Sequence, residues 1–271
     1  MPTTASSIFI TSLSTYGLSI IGLCTASLFT ACRTISNLLL PGQCLLCACA
    51  LKGELICSSC KNDLPQLTRI KSCKQCKLAL STEDALCGHC LRQPPAFSQS
   101  YIPFAYTYPL DSLVLKFKYH RHLTSGKLLG TLLADHIQQC SQEPSWQMPH
   151  LLIPAPMHWT RRWQRGFNQA EILTAYIASK LQLPYSLHLI KRQQRTPSQK
   201  ELSRLERQKN LRKAFSISDK NASIIAGKRI ALIDDVVTTT ATVRELSKLL
   251  RKAGAADVQV WALARTMDRQ V

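Results

Sequence analysis

Acidic side chains are scarce in this chain: 16 Asp and Glu stand against 34 Lys and Arg in 271 residues, giving a formal net charge of +18 and a pI of about 9.6. A surface so short of carboxylates does not suit a polycationic partner. It attracts polyanions such as nucleic acid, anionic lipid, or a small phosphate-rich substrate beside an otherwise solvated surface. Charge of either sign is almost missing from the first 43 residues, where Arg33 is the single charged side chain. The uncharged run over residues 8–30 matches the ~20 residues that span a bilayer. Eight of its 23 residues are Ser or Thr, however, and no basic residue precedes it, which excludes a secretory signal of the usual kind. Residues 1–40 are therefore expected to form a poorly ordered or peripherally docking extension, with a membrane anchor as the alternative. The rest of the basic excess is uneven: residues 161–213 hold 13 Lys and Arg against three Glu, a local net of +10.

Residues 41–93 change character. Four C-x-x-C pairs follow one another: Cys44 and Cys47, Cys57 and Cys60, Cys73 and Cys76, Cys87 and Cys90. Each pair lets two thiolates converge from one tight turn, so two tetrahedral four-cysteine zinc sites can close within short loops. Sequential pairing joins the first two pairs and the last two, and an interleaved scheme stays open. A disulfide framework would need an oxidising compartment, and without a signal peptide a cytoplasmic location is expected. Cys24, Cys32, Cys49 and Cys140 fall outside the pattern and read as small apolar packing residues. His89 lies inside the last pair and reads as a loop residue. A module this short has too little core to fold without metal. Lys71, Lys74 and Lys77 decorate it, which suits nucleic acid or simply a solvated knuckle.

Pro94 and Pro95 open a linker to a larger domain over residues 94–271. Residues 101–108 alternate like a strand, 110–119 and 127–137 carry apolar residues at helical spacing, and 140–150 is a loop. Leu151, Leu152 and Ile153 make a short buried strand. The following P-A-P-M-H-W-T-R-R-W-Q-R-G-F-N-Q delivers Arg161, Arg162 and Arg165 beside Gly166, Asn168 and Gln169, a grouping suited to pyrophosphate because a guanidinium binds two oxygens at once. The alternative makes Trp159, Trp163 and Phe167 core residues and the arginines a solvated face. A helix is expected over 169–181. Residues 191–215 are basic and polar and read as a mobile loop leading into a helix. Such a loop can close over a phosphorylated substrate, bringing Arg195 and Lys200, or line a nucleic-acid groove.

Residues 230–242, I-A-L-I-D-D-V-V-T-T-T-A-T, carry the most specific chemistry. Four apolar residues form a buried strand, two carboxylates sit at its carboxyl end, and hydroxyl residues lead into a helix. Ligands of parallel sheets bind outside the carboxyl ends of strands, and amides at a helix start favour an anion. Asp234 and Asp235 are placed to accept from ribose hydroxyls. Thr238, Thr239, Thr240 and Thr242, with the backbone from Val236 and Val237 through Ala241, are placed to hold a terminal phosphate. Two adjacent carboxylates near a sheet repel each other and lose hydration, a costly arrangement for mere strand capping. The helix over 242–253 is expected to bury Val243, Leu246, Leu249, Leu250 and Ala253 and to turn Arg244, Glu245, Lys248, Arg251 and Lys252 to water. Gly254 stops it, and 258–264 is the next parallel strand. The β-α-β order predicts an α/β fold with right-handed crossover.

This stretch resembles the phosphoribosyl pyrophosphate (PRPP) signature of type I phosphoribosyltransferases, with Thr240 where that signature most often has Gly. Gly allows a positive φ and close approach of backbone to phosphate, and a β-branched residue does both poorly. More widely, the chain from Leu40 to Thr266 resembles the ComF family, also called the GntX or ComFC-type competence proteins. The likeness rests on the cysteine pairs after L-L-P-G-Q-C, on R-R-W-Q-R-G-F-N-Q-A, on R-T-P-S-Q-K-E-L-S-R-L-E-R-Q-K-N-L-R-K-A-F, and on I-D-D-V-V-T-T-T-A-T, ending in V-W-A-L-A-R-T. It implies a small Cys-rich zinc-ribbon module joined to a type I phosphoribosyltransferase-like parallel sheet with helices on both faces. It also implies PRPP with Mg²⁺, structural zinc, and a role with single-stranded DNA and the DNA-uptake machinery in natural competence. Peripheral association with the inner membrane face fits the apolar extension. If the protein turns over, it is a glycosyltransferase of the phosphoribosyltransferase class, although no base for the nucleophile stands out. Two alternatives remain: a non-catalytic nucleic-acid adaptor with a relic ribosyl-phosphate site, and a nucleobase salvage enzyme.

Overall fold

A computed structural model of the chain describes residues 42–82, 85–192 and 214–267. The apolar stretch over 8–30, and Arg195 and Lys200 of the basic loop, lie outside the described residues. Contacts divide the chain into a small unit, residues 1–44 and 48–57, and a large one, residues 45–47 and 58–271. In the small unit, β1 (Gly42–Gln43) and β2 (Ala50–Leu51) form an antiparallel hairpin with Gly42 opposite Leu51.

The large unit is built on a parallel sheet. Its central strands are β8 (Arg229–Val237) and β9 (Asp257–Arg265), flanked by β5 (Leu151–Pro154) on one side and β3 (Gln99–Tyr101) on the other, in the order β3-β9-β8-β5. Strand β4 (Phe104–Ala105) also pairs with β9 further along. The single strand expected over 101–108 is thus broken in two at Pro103, whose ring removes the N–H that a ladder needs. Strand β8 runs longer than its four apolar residues. Its ladder with β9 continues from Arg229 opposite Asp257, through Asp234 opposite Ala262, to Val237 opposite Arg265. The two aspartates therefore stand inside the strand, held at its carboxyl end.

Helices cover both faces, as the family resemblance implies. Ile230 and Leu232 of β8, with Leu151, Ile153, Val258, Val260 and Ala262, share one core with Val243, Leu246 and Leu250 of the crossover helix between β8 and β9. The alternate residues, including Leu152, Ile233, Trp261 and Leu263, are fully buried on the other face. There α4 (Leu123–Cys140) and α6 (Gln169–Leu181) pack together, with α3 (Leu110–Tyr119) against α4. Helices α3 and α6 have the bounds the periodicity predicts. Helix α4 starts earlier, because the His122 ring accepts from the Ser125 N–H and caps it.

Two short helices precede the sheet, α1 (Ser58–Asn62) and α2 (Gly88–Arg92). After β5 comes α5 (Trp159–Arg165), where irregular chain is expected. The His158 ring, an unusual cap, accepts from Thr160 N–H at 3.2 Å, and Gly166 ends the helix at φ 81°. A small antiparallel pair, β6 (Lys191–Arg192) with β7 (Phe215–Ser216), is followed by α7 (Asp219–Ile225). The crossover helix α8 (Ala241–Lys252) corrects one expectation: Arg244 and Ser247 are buried, and only part of the charged set faces water. Among the described residues, no helix is long and apolar enough to cross a membrane.

Candidate functional site at the carboxyl end of β8

Asp234 and Asp235 are both half-buried. The Asp235 N–H donates to Asp234 Oδ1 at 2.9 Å, and the Val236 N–H donates to Asp235 Oδ1 at 2.7 Å. Burial, and then the charge of Asp235, push the Asp234 carboxyl up from 3.8 to about 7, against the pull of the Asp235 N–H and of Lys118. Lys118, near the end of α3, binds Asp235 Oδ2 at 2.9 Å, with side-chain exposures of 15% and 16%. Helical periodicity places Lys118 on α3 but gives no sign that it reaches β8. Its removal leaves a partly buried carboxylate unpaired, so Lys118→Met is expected to cost about 1–3 kcal/mol of stability at neutral pH. Urea denaturation checks this, and an unchanged midpoint would show the pair to be idle.

Beyond Val237 the chain turns through Thr238 and Thr239, both exposed, into α8. Thr240 takes φ 62°, the left-handed region that the Gly of related signatures adopts freely. Its side chain turns inward, 4% exposed, and its hydroxyl accepts from Arg244 Nε at 3.0 Å. Thr238 and Thr239 are thus the exposed residues of this turn, with Ala241 and Thr242 half-buried at the helix start.

The segment after β5 supplies the basic partners, though not as three equal arginines. Arg161 is exposed, and Arg162 is held by Glu171 at 2.6 Å. Arg165 lies over the Tyr119 ring, 5.2 Å from its centroid, and donates to Gln169 Oε1 at 3.3 Å. Asn168 is buried and used structurally, donating to the Ala155 carbonyl at 3.0 Å and accepting from the Ala170 N–H to cap α6. Trp159 and Trp163 are 69% and 83% exposed, which overturns the alternative that makes them core. Arg192, at the end of β6, is a further basic neighbour: it feels both Arg161 and Asp234, and burial lowers its pKa.

The cysteines form two groups. Cys73, Cys76, Cys87 and Cys90 are all buried, with sulfurs within 4.8 Å of one another. Cys76 and Cys87 sulfurs are 3.7 Å apart. Tetrahedral coordination with metal–sulfur bonds of ~2.3 Å sets sulfurs ~3.8 Å apart, so the spacing fits an ion at the centre. The hydrogen bond from Cys90 brings the Cys76 thiol down to about 5, and the same bond with burial pushes Cys90 up. A cation would resolve that conflict by holding all four as thiolates. Within the small unit, Cys44, Cys49 and Cys57 also come together, with sulfurs within 4.8 Å of one another. Cys49 stands where the spacing would put Cys60, because the hairpin returns Cys49 beside Cys44, whose N–H donates to the Cys49 carbonyl at 2.9 Å. The 73–90 group joins the last two pairs as the sequential scheme expects; the first departs from it, since Cys49, expected to be a packing residue, is in it and Cys60 is not, and His89 is in neither.

Residues 168–271 match the family model described as the phosphoribosyl transferase domain. The chain is 35% identical over 211 residues to competence protein F of Haemophilus influenzae, covering 78% of this chain and 90% of that protein. It is 35% identical over 232 residues to the DNA utilization protein YhgH of Salmonella typhimurium, covering 85% of this chain and all of that protein. Among solved structures it is similar to the allosteric regulatory enzyme of purine biosynthesis, at 21% identity and a TM-score of 0.33, over 51% of this chain and 25% of that one.

Proposed function

The chain belongs to the ComF family of competence and DNA-utilization proteins, and from that premise we propose that it binds PRPP and acts in the uptake or processing of single-stranded DNA. One observation carries the reading: a half-buried acidic pair and an αL turn stand together at the carboxyl end of a central parallel strand, inside the phosphoribosyltransferase-matched region. Asp234 and Asp235 accept from the ribose 2′- and 3′-hydroxyls. The backbone from Val236 through Thr242 and the Thr238 and Thr239 hydroxyls hold the 5′-phosphate. Arg161 and Arg165 bind the pyrophosphate, joined by the charges of Arg195 and Lys200, while Arg162 and Asn168 orient the segment that carries Arg161 and Arg165. The site's half-buried carboxylates fit a hard cation, and Mg²⁺ bound with PRPP supplies neutralisation of the pyrophosphate. In turnover, a nucleophile forms a bond to the anomeric carbon as the carbon–oxygen bond to pyrophosphate breaks, with the electron pair leaving on pyrophosphate. The chain's residues orient the sugar and keep the leaving group in place. Cys73, Cys76, Cys87 and Cys90 hold one structural zinc ion, the cysteines of the small unit bind a second, and the protein works in the cytoplasm.

The same reading is tested on turnover and on DNA. Pyrophosphate release on mixing PRPP with nucleobases identifies a salvage enzyme; saturable binding with no release identifies a PRPP-responsive adaptor. A cleft of about 590 Å³ lined by Arg69, Lys71, Lys74 and Lys77, with Tyr101 and Trp146 in edge contact at 4.6 Å, supports the DNA partner. Cations for phosphates beside aromatic faces for bases suit a single strand. Exchanging the three lysines for Gln is expected to reduce the slope of log affinity against log salt by about two, at ~0.7 per phosphate contact. An unchanged slope in salt titrations with an oligonucleotide would place DNA elsewhere.

A further inference from the structure

We infer that Arg244 and Arg265 are positioning residues that brace the phosphate turn against the second four-cysteine centre, so that the metal site sets the geometry of residues 238–240. This rests on the reading of that turn as a phosphate site. Arg244 lies in the first turn of α8 and is 6% exposed. Its Nε donates to Thr240 Oγ1 at 3.0 Å, its other nitrogens to Cys90 Sγ at 3.2 Å and to the Gln93 carbonyl at 2.6 Å. Arg265, at the end of β9 and 2% exposed, donates from Nε to the Cys76 carbonyl at 3.2 Å. Its Nη1 reaches the Val237 carbonyl at 3.1 Å and also the Thr238 carbonyl. Two guanidiniums therefore run from two cysteines of one quartet to the two ends of one turn.

The electrostatics explain why arginine is used. Burying a cation is costly unless something opposes it, and no carboxylate pairs with either guanidinium among the described residues. Four thiolates around a divalent ion keep a net negative charge, which supplies the counter-charge, and a sulfur accepting from Arg244 is what a thiolate ligand with a spare lone pair offers. The bracing also accounts for Thr240. A β-branched residue at φ 62° is strained, but its hydroxyl gives Arg244 an acceptor on the turn that Gly lacks. Gly would relieve the strain and cut the link. Inward use of the Thr240 hydroxyl leaves Thr238 and Thr239 as the exposed residues of the turn.

The test uses the full chain loaded with metal. Wild type, Arg244→Gln and Thr240→Val are compared, the last because it removes the acceptor while leaving the cysteine centre untouched. Hydrogen exchange of the 237–242 amides, without ligand, is expected to quicken about tenfold in both variants, at unchanged zinc content and with β8 and β9 still protected. With Co²⁺ in place of zinc, ribose 5-phosphate is expected to shift the visible thiolate bands of wild type and to shift those of Thr240→Val less, since the Arg265 link stays in place. Unchanged exchange in Thr240→Val overturns the bracing, as does calorimetric binding of ribose 5-phosphate to wild type with no cobalt shift. Faster exchange in both variants with no binding of ribose 5-phosphate to wild type would retain the bracing and reject the phosphate-site reading.

Discussion

Replacing Asp234 with Asn is expected to weaken PRPP binding about 100-fold or more, and at pH 8 to make the ligand-free protein more stable. The loss follows from the bonds to sugar hydroxyls that the proposed site gives to the carboxylate. Hydrogen bonds to charged groups contribute ~1.5–3 kcal/mol each, and ~1.4 kcal/mol is a factor of ten in affinity. The gain follows from the sign of the shift at Asp234. Its carboxyl is pushed up to about 7 by burial and by Asp235, so the folded protein holds a proton that the unfolded chain releases near 3.8. Stability therefore falls as pH rises from about 4 to about 7 and is level beyond. Asn removes that slope. Affinity for PRPP moves the opposite way: the charged form accepts the hydroxyls, so binding tightens as pH rises through about 7 in wild type, relative to Asp234→Asn. Denaturation at pH 5 and pH 8, beside calorimetry at each pH, checks all three. A variant less stable than wild type at pH 8 would show Asp234 to be a structural cap.

Metal removal has the second large expected effect, and it falls on the sheet. Cys73, Cys76, Cys87 and Cys90 share a core with Leu67, Phe97 and Ile102 and with Val243 and Leu246 of α8. Four buried thiols that lose their ion become four polar groups with too few acceptors. Structural zinc contributes ~10–16 kcal/mol in small modules, and a domain's whole stability is ~5–15 kcal/mol. Losing even ~5 kcal/mol lowers the melting temperature of a domain this size by ~10–20 °C. Chelator-treated protein should therefore melt at least that much lower, with the transition of the sheet helices moving too. A metal-free protein with an unmoved transition would show the quartet to be an ornament on an independent core.

How much of this is legible in the sequence depends on the range of the interaction. The acidic pair, the strand before it and the helices over 110–119 and 169–181 rest on local periodicity and on chemistry a few residues apart, and the folded chain has them where the pattern predicts. The cysteine spacing likewise announces two four-sulfur groups, although Cys49 for Cys60 depends on how a hairpin folds back. Contacts between distant segments are invisible. Lys118 meets Asp235 across more than a hundred residues, and nothing in the pattern of α3 marks it. Arg244 illustrates the limit best. An arginine among Glu245, Lys248, Arg251 and Lys252 reads as solvated, and only the approach of Cys90 gives it a reason to be buried. The i to i+4 spacing from Thr240 to Arg244, beside a threonine in a glycine's place, is the one signal in the sequence that points to it.

The central claim is that the carboxyl end of β8 is a sugar-phosphate site. Calorimetric titration of the metal-loaded full chain with PRPP, with and without Mg²⁺, tests it most directly. The account predicts one saturable, Mg²⁺-dependent site per chain, lost in the Asp234→Ala, Asp235→Ala double variant. Absence of heat from wild type at millimolar PRPP, in protein shown to be folded and to carry its metal, would contradict it.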